Sequence, residues 1–339
     1  MTPNIESDLT EMEKKLKCYV DKGRVAGSAE VREEPMISVK TDASLINPLR
    51  KVHSFAGSFI AVDCSTRTLK RANNWGVYLM RPAYAIVKNR VVDWGFKERI
   101  CTVVGDAHTR NNFLKDVRME LESQMMLSLL GNNGLFSCDD HTDGRRNYLL
   151  LDGGAYFGGD RKFRVSLYDE CKKEGIILLA ISKNSPSLHD EKGRDFIATV
   201  FAMSPYDTWV YHPVTEADIH KHLYGDIAVV KLCGESPRVF RCDIMDYLTN
   251  HDINELVSPL TIVSEDPQCV GYPISLYLAH EFSAPSDSML LFYHDKIEGA
   301  LKNAELLETL RREERCCSFA DEIHGAKHAF KREWWDDQY

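Results

Sequence analysis

The chain has 339 residues, of which 44% are hydrophobic and 27% are charged. This composition is typical of a folded globular protein, and no apolar stretch is long enough to be predicted as a membrane span. The formal net charge of −9 argues against a generally basic surface that would coat nucleic acid. Any polyanion would have to be bound by a local basic groove, by metal ions or by a partner.

The ten cysteines are scattered along the chain and form no C-x-x-C pair, so a zinc ribbon is not predicted. Several lie inside apolar runs, where a free thiol packs as a small hydrophobic group. The N-terminus has neither a basic start nor an apolar core, so a signal peptide is not predicted. Together these features favour a protein of the reducing cytoplasm.

A charged amphipathic helix is predicted over residues 7–22, and a polar segment extends from it to about residue 54. Five apolar runs then have the length and composition of buried strands. They span residues 58–63, 76–87, 99–104, 148–152 and 175–183. The first three are joined by short connections, including a polar, basic one over 65–75, which favours an antiparallel meander.

Helices are predicted between the later strands. One is expected to begin with Asn112 as its N-cap and to run to about Leu130, and a second is expected over 161–174. The resulting order βββαβαβ requires a mixed sheet with helical crossovers between its later strands. It is the order of the ribonuclease-H-like fold, an α/β fold that places carboxylates on its first strand, first helix and fourth strand.

The second half of the chain is less regular and is predicted to add strands and C-terminal helices to this sheet. The strands are expected over 199–203, 226–232 and 238–244, and the helices near 243–257, 272–283 and 287–315. The chain is therefore divided into an N-terminal helical or extended segment (1–54), a domain with the ribonuclease-H-like core (55–300) and a C-terminal helical tail (301–339).

Two of the predicted strands end in an aspartate that is followed by small residues. Asp63 precedes Cys64 and Ser65, and Asp152 precedes Gly153. Carboxylates at the ends of two neighbouring strands would face one point, which suits Mg²⁺ or Mn²⁺. Paired ions of this kind cleave phosphodiester bonds. The alternative is that each aspartate only caps a turn.

The helix predicted from Asn112 offers two glutamates as a third carboxylate. Residues three and four positions from Glu122 include Met125 and Met126, whereas the corresponding neighbours of Glu120 are more polar. Glu122 is therefore expected to point inward, with Glu120 as the alternative. A buried glutamate needs a cation or a hydrogen-bonding partner, and Arg118 could supply one from the preceding turn.

Two further residues could complete a metal site. His280 lies within an otherwise apolar helical run and could bind a metal ion or transfer a proton, although such a histidine is more often a hydrogen-bonded core residue. Lys183 ends the fifth strand and could pair with the carboxylates or contact a scissile phosphate. The alternative for Lys183 is an exposed side chain in a turn.

Basic residues close to the two aspartates could bind a phosphate backbone. The candidates are Arg67, Lys70, Arg71, Arg145 and Arg146. Isolated basic clusters are usually only solvated loops, so this interpretation depends on where the fold places them.

In combination, these motifs resemble the NurA nuclease family over about residues 55–285. The matching segments are Phe59-Ile-Ala-Val-Asp63-Cys-Ser65 with its following hairpin, Leu149-Leu-Leu-Asp152-Gly153, Ile181-Ser-Lys183, Val239-Phe-Arg-Cys-Asp-Ile244, and Gly271-Tyr-Pro273 leading to Ala279-His280. Each segment is short, but they occur in the order found in the family.

The resemblance implies a ribonuclease-H-like core, Mn²⁺-dependent cleavage of DNA and a homodimer. It also implies a partnership with the hexameric HerA ATPase in processing DNA ends. By position, Asp63, Glu122, Asp152 and His280 would be the metal-site residues.

One departure from the family pattern concerns Cys64, which stands where the family usually has glycine. If this position requires a positive φ, cysteine would strain the turn. Such strain would favour a rival function, a non-catalytic adaptor that docks on a DNA translocase. A nuclease acting on RNA or on an RNA–DNA hybrid is a third possibility. No residue indicates a contact to a 2′-hydroxyl, so substrate trials must decide between RNA and DNA.

Overall fold

The structure is a computed structural model that describes residues 5–23, 36–89, 91–131, 147–158, 162–183, 185 and 187–316. The strands within these residues are β1 (Ile37–Val39), β2 (Ile46–Pro48), β3 (Phe59–Arg71), β4 (Trp75–Lys88), β5 (Val91–Phe96), β6 (Arg99–Val104), β7 (Tyr148–Asp152), β8 (Ile177–Ser182), β9 (Leu188–Asp190), β10 (Trp209–Thr215), β11 (Gly225–Lys231) and β12 (Phe240–Met245). The helices are α1 (Ile5–Lys22), α2 (Ala107–Leu130), α3 (Lys162–Glu174), α4 (Phe196–Met203), α5 (Ile253–Val257), α6 (Ile274–Ser283), α7 (Asp287–Asn303) and α8 (307–316).

One mixed sheet organises the described part of the chain. Its strands follow the order β2-β10-β11-β12-β8-β7-β3-β4-β5, and β6 also pairs with β4. The pairs β3–β7 and β7–β8 are parallel, whereas β3–β4, β4–β5 and β4–β6 are antiparallel. Helices α2 and α3 connect the parallel strands. The predicted mixed α/β sheet is therefore confirmed.

The centre of the sheet is buried because its strands are almost continuously apolar. All of β8 except its last residue is buried, as is β7 except Asp152. Helix α6 packs across β3 and β4, on the face where Asp63 contacts His280. Ala61 and Ala85 pair across these strands on the same face, and their small side chains let the helix approach the sheet.

A second hydrophobic core lies where the hairpin of β3 and β4 meets helices from both ends of the chain. Met12 and Leu16 of α1 pack there with Trp75 of β4, Ile297 of α7 and Leu310 of α8. The predicted N-terminal helix is confirmed, and it begins two residues earlier than predicted. This core joins α1, α7 and α8 to the sheet.

Several predictions for the first half require correction. The polar connection predicted over 65–75 is wrong, because β3 continues to Arg71 and pairs with β4 over this whole length. Helix α2 begins six residues earlier than expected, because Asp106 rather than Asn112 is its N-cap and accepts a hydrogen bond from the Thr109 amide. Strand β5 was not predicted.

In the second half, the strand predicted over 199–203 is wrong. These residues belong to α4, whose N-cap Asp195 accepts a hydrogen bond from the Ala198 amide. The predicted helix over 287–315 is two helices, because Glu305 adopts a φ of 58° and ends the first of them. The helix expected near 243–257 is reduced to α5, since β12 extends to Met245. Strand β10 was not predicted, whereas β11, β12 and α6 were.

A buried ion pair on β12 holds the loop that follows β7. Arg241 donates two hydrogen bonds to Asp243, with distances of 2.7 Å from Nε to Oδ1 and 2.6 Å from Nη2 to Oδ2. Oδ2 also accepts a hydrogen bond of 2.7 Å from the Ala155 amide. A Cβ at Gly154 would lie 3.1 Å from Arg241 Nη2, so the loop approaches this pair closely. The pair thereby fixes the backbone just after Asp152.

Replacement of Asp243 by alanine is expected to destabilise the protein strongly. Arg241 would lose its bidentate partner in the interior, and breaking a buried pair costs about 3–5 kcal/mol in the free energy of unfolding. Urea denaturation followed by circular dichroism measures this change. Glu170→Ala is the control, because its partner Lys173 is exposed and loss of such a pair costs about 1 kcal/mol or less. Equal effects of the two substitutions would contradict the buried pair's role.

Candidate functional site

Asp63 is the centre of the site and lies within β3 beside the end of β7. Val62 pairs with Leu151, so Asp63 and Asp152 directly follow paired residues of two parallel strands. The Asp63 side chain is only 3% exposed. Its Oδ2 is 2.7 Å from His280 Nδ1, and its Oδ1 is 2.6 Å from Arg118 Nη2. A buried carboxylate is thus held by groups from α6 and α2.

Glu122 points inward from α2, as its neighbours in sequence predicted. Its Oε1 accepts a hydrogen bond of 2.9 Å from Arg118 Nε, and its Oε2 accepts one of 2.5 Å from Arg164 Nη2. The structure therefore contains the ion pair between Arg118 and Glu122 that the sequence suggested as one alternative. Glu120 lies on a more exposed side of the helix and accepts a hydrogen bond from Gln124.

Asp152 and Lys183 form an ion pair at the ends of β7 and β8. Lys183 Nζ lies 2.9 Å from Asp152 Oδ2, and the two side chains are 44% and 19% exposed. The same ammonium lies 5.4 Å from the ring centroid of Tyr272. This half of the site is more open to solvent than the half formed by Asp63 and Glu122.

The charges of the site shift the pKa values of its acids. Burial raises the pKa of Asp63, but the hydrogen bond from His280 and the positive charges of Arg118 and Lys183 outweigh it and hold this pKa well below its usual range. Burial raises the pKa of Glu122, and the guanidinium groups of Arg118 and Arg164 oppose that rise. Burial lowers the pKa of Arg118, but the negative charges of Glu122 and Asp63 raise this pKa by more. Arg118 therefore stays charged.

Two residues of the site were not identified from the sequence. Arg164 of α3 is buried and bridges to Glu122. Tyr272, just before α6, is buried, and its hydroxyl has no hydrogen-bond partner among the described residues. Burial and the negative charges of Asp152 and Asp63 raise the pKa of Tyr272. The Gly271-Tyr-Pro273 motif was the available signal for this tyrosine.

The basic residues that were predicted to bind DNA have different positions. The predicted role of Lys70 in DNA binding is corrected. Its side chain is only 5% exposed, and its Nζ is 2.8 Å from Glu298 and 3.4 Å from Glu314. It is therefore a structural cation of the second core. Arg67 is partly buried and Arg71 is exposed on the extension of β3 beyond Asp63, and their contact with DNA stays a prediction. Arg145 and Arg146 lie outside the described residues.

Cys64 does not strain the chain. It lies in extended backbone within β3, pairs with Pro82 of β4 and is 1% exposed. Its side chain packs with Val117 of α2 in a small apolar cluster. Cys64 is not among the described residues with a positive φ, so the strain that would favour a non-catalytic adaptor is absent.

The described residues contain no group of three or more His, Cys, Asp or Glu side chains arranged to hold a metal ion. The reason is visible in the contacts, because Arg118 occupies oxygens of both Asp63 and Glu122, and Lys183 occupies Asp152. The donor types themselves, carboxylate oxygens and an imidazole, are those that Mn²⁺ and Mg²⁺ bind. Arg118 and Lys183 are 38% and 44% exposed, so both side chains have access to solvent.

Among the described helices, none combines the length and the hydrophobicity that a membrane crossing needs.

Comparison with known proteins identifies the fold. No protein-family model matches this chain, and no curated protein matches it. The solved structure of the NurA nuclease from Sulfolobus solfataricus is 15% identical and superposes with a TM-score of 0.53 over 89% of this chain and 98% of its own.

Two further NurA structures are similar over most of the chain. One is 10% identical with a TM-score of 0.49, over 84% of this chain and 94% of its own. The other, solved with manganese, is 11% identical with a TM-score of 0.48, over 76% and 91%. At such identities the likeness concerns the fold, and the Sulfolobus structure carries it. The resemblance to NurA inferred from the motifs is thus confirmed as a NurA-like fold.

The lowered pKa of Asp63 predicts a pH dependence of stability. The unfolded chain binds a proton at Asp63 near its usual pKa of 3.8, whereas the folded chain does so only at lower pH. Ionised Asp63 therefore stabilises the fold fully above this pKa, and its contribution is lost as pH falls through the folded value.

Urea denaturation of the wild type and of Asp63→Asn in EDTA, between about pH 3 and about pH 6, measures this contribution to the free energy of unfolding. We expect the difference in unfolding free energy to be largest above about pH 4 and to shrink below it. Glu120→Gln serves as a control outside the ion-pair cluster. A difference that does not change with pH would contradict this role of Asp63.

Proposed function

We propose that this chain is a metal-dependent nuclease that hydrolyses phosphodiester bonds in DNA during the processing and repair of DNA ends. The observation that carries the proposal is the meeting of Asp63, Glu122, Asp152 and His280 from four separate elements at one end of two parallel strands. Burying such a set of ionisable groups costs free energy, and perturbed groups of this kind cluster at functional sites.

A ribonuclease-H-like core is part of this proposal. The sheet order from β4 through β3 and β7 to β8, with β5 and β6 beside β4, supports it. Antiparallel pairing among the first strands and parallel pairing among the later ones also agrees with that topology. Asp63, Glu122 and Asp152 lie on β3, α2 and β7, which would be the first strand of this core, its first helix and the first strand after that helix.

The donor set suits Mn²⁺ or Mg²⁺. Asp63, Asp152 and His280 would hold two metal ions, and Glu122 would support these ligands from behind while it binds Arg164. When bound, two divalent ions activate water and neutralise the charge that develops on the phosphate. Movement of Arg118 and Lys183 toward solvent would release the carboxylate oxygens.

The chain's own groups contribute the remaining chemistry. Asp63 orients the His280 ring through Nδ1, so His280 would exchange a proton or bind metal through Nε2. Lys183 would present a positive charge to the phosphate. The buried Tyr272 hydroxyl, which lacks a partner among the described residues, could donate a hydrogen bond to a phosphate oxygen.

The partners follow from the same proposal. The chain would act as a homodimer with a HerA-like hexameric ATPase that delivers DNA ends. The net charge of −9 supports delivery by a motor over unaided capture of DNA. The eight cysteines in the described residues are free thiols, which supports a reducing, cytoplasmic location.

A non-catalytic adaptor for a DNA translocase is the second candidate function. The observation that favours it is the occupation of Asp63, Glu122 and Asp152 by Arg118, Arg164 and Lys183. An adaptor would retain these ion pairs permanently, whereas a nuclease would exchange two of them for metal and phosphate.

Cleavage of end-labelled linear DNA tests the proposed activity. We expect single- or double-stranded DNA to be cut with Mn²⁺ or Mg²⁺ and not with EDTA. Asp63→Asn and Asp152→Asn are each expected to lower the rate roughly 100-fold or more, because each removes a charged ligand. Equal cleavage by the wild type and both variants would refute the site.

Further arms of the same assay separate the alternatives. Glu122→Gln should lose activity, whereas Glu120→Gln on the more exposed side of α2 should retain it. If the enzyme cuts RNA or RNA–DNA hybrids in preference to DNA, those are its substrates. Absence of cleavage, even with a cognate translocase, would favour the adaptor.

Binding of Mn²⁺ without DNA tests whether Arg118 competes with metal. Arg118→Gln removes the guanidinium from Asp63 Oδ1 and is expected to raise Mn²⁺ affinity roughly tenfold, since a hydrogen bond to a charged group contributes about 1.5–3 kcal/mol. The electron paramagnetic resonance signal of free Mn²⁺ measures this affinity. Arg50→Gln is the control, because Arg50 pairs with the distant Asp252. Unchanged or weaker Mn²⁺ binding in Arg118→Gln would contradict competition.

A further inference from the structure

Two aromatic side chains are exposed on β5, a strand at the edge of the sheet. Trp94 is 48% exposed and Phe96 is 38% exposed. The other edge of β5 pairs with no strand among the described residues. Edge strands usually carry charges or prolines that prevent association, so exposed rings at such an edge require an explanation.

Both rings are supported from behind by other groups of the fold. Trp94 stacks on Phe282 of α6 with a centroid distance of 4.5 Å and an interplanar angle of 23°. The Arg81 guanidinium lies 3.6 Å from the centroid of Phe96. Trp94 and Phe96 are inclined by only 19° to each other. The rings are therefore fixed in orientation, and much of their surface is open to solvent.

The rings lie on the same face of the sheet as the candidate active site. Asp63 of β3 pairs with Ala83 of β4, which pairs with Phe96 of β5, so these three residues form one row across the sheet. Two strand spacings separate the ends of this row by about 10 Å. That distance corresponds to about three nucleotides at the stacked rise of one strand. Phe282 also lies two residues beyond His280 on α6.

We propose that Trp94 and Phe96 form a stacking platform for unpaired bases of single-stranded DNA entering the active site. This inference rests on the proposed nuclease function and names the form of DNA that the site receives. Aromatic rings bind successive bases of a single strand without sequence preference, because every base has a π-face. Fixed rings lose little conformational freedom when a base stacks on them.

The dimensions of the platform favour bases over a protein partner. Two aromatic side chains that are about half exposed offer roughly 200 Å² of surface. A stable protein interface needs about 800 Å² on each side. Val91 and Asp93 point to the opposite face of β5. Val92 shares the face of the rings and is 41% exposed, but one valine adds too little area to reach the size of a stable interface. Lys97, exposed directly after Phe96, provides a positive charge for the phosphate backbone.

Fluorescence anisotropy with a short fluorescein-labelled oligothymidine, in EDTA so that no cleavage occurs, tests the platform. Trp94→Ala is expected to raise Kd about tenfold, the effect of losing one stacked base. Trp94→Phe should retain most of the affinity, because it keeps a ring. Val91→Ala, at a more exposed apolar site (68%) on the opposite face of the strand, should leave Kd unchanged. Phe96→Ala provides a second test if Trp94→Ala does not fold.

An oligothymidine with consecutive abasic sites distinguishes stacking from indirect effects. The wild type should bind the abasic oligonucleotide about tenfold more weakly than oligothymidine. Trp94→Ala should bind both oligonucleotides with similar affinity, since the base and the ring contribute to the same interaction. If removing the base and removing the ring each weaken binding by the same factor whether or not the other is present, the platform is overturned.

Other outcomes separate this inference from the proposed nuclease. If the wild type cuts DNA but Trp94→Ala and Phe96→Ala bind oligothymidine normally, the platform is refuted and the nuclease stands. If the wild type neither binds nor cuts DNA even with a cognate translocase present, both are refuted. A smaller species in sedimentation velocity for Trp94→Ala, with unchanged oligothymidine binding, would identify the rings as a protein contact and overturn the platform.

Discussion

The buried carboxylate of Asp63 is the constraint on which the rest of the site depends. An isolated charge at 3% exposure would be strongly unfavourable, and Arg118 and His280 compensate it from α2 and α6. Because each contact comes from a different element, the ionised group fixes both helices against β3. Arg118 in turn binds Glu122, which Arg164 binds from α3. One charge therefore organises three helices around the centre of the sheet, and the same groups form the candidate active site.

The sequence predicted the parts of the fold in which local pattern and tertiary environment agree. The apolar runs ending at Asp152 and Ser182 form buried parallel strands because both faces are covered. The apolar run at 199–203 was misassigned because β-branched and aromatic residues also suit a strand, whereas the cap at Asp195 starts a helix upstream. Strand β5 was missed because Asp93 and Gly95, residue types that are depleted in strands, interrupt its apolar residues.

The same distinction applies to the site. Helical periodicity was sufficient to orient Glu122, because its apolar neighbours lie on the same side of α2. Arg164 and Tyr272 could not be assigned roles, since the groups they contact, Glu122 and Lys183 respectively, lie on segments remote in sequence. Lys70 follows Asp63 closely along the chain, yet a register irregularity between Thr68 and Lys70 interrupts the alternation of β3, and its ammonium enters the second core. Proximity in sequence therefore does not establish proximity to DNA.

The second core also determines when the protein can complete its fold during synthesis. Trp75 and the hairpin of β3 and β4 are made well before α7 and α8, which cover them. His280 likewise belongs to a helix that follows the entire sheet in the chain. Asp63 and His280 are 217 residues apart, so at about 5–20 residues per second the ribosome would expose an uncovered hairpin and an Asp63 without its histidine for roughly 10–40 seconds. The site is thus assembled only after α6 has been made, so a chain that stops before α6 lacks the contact that orients Asp63.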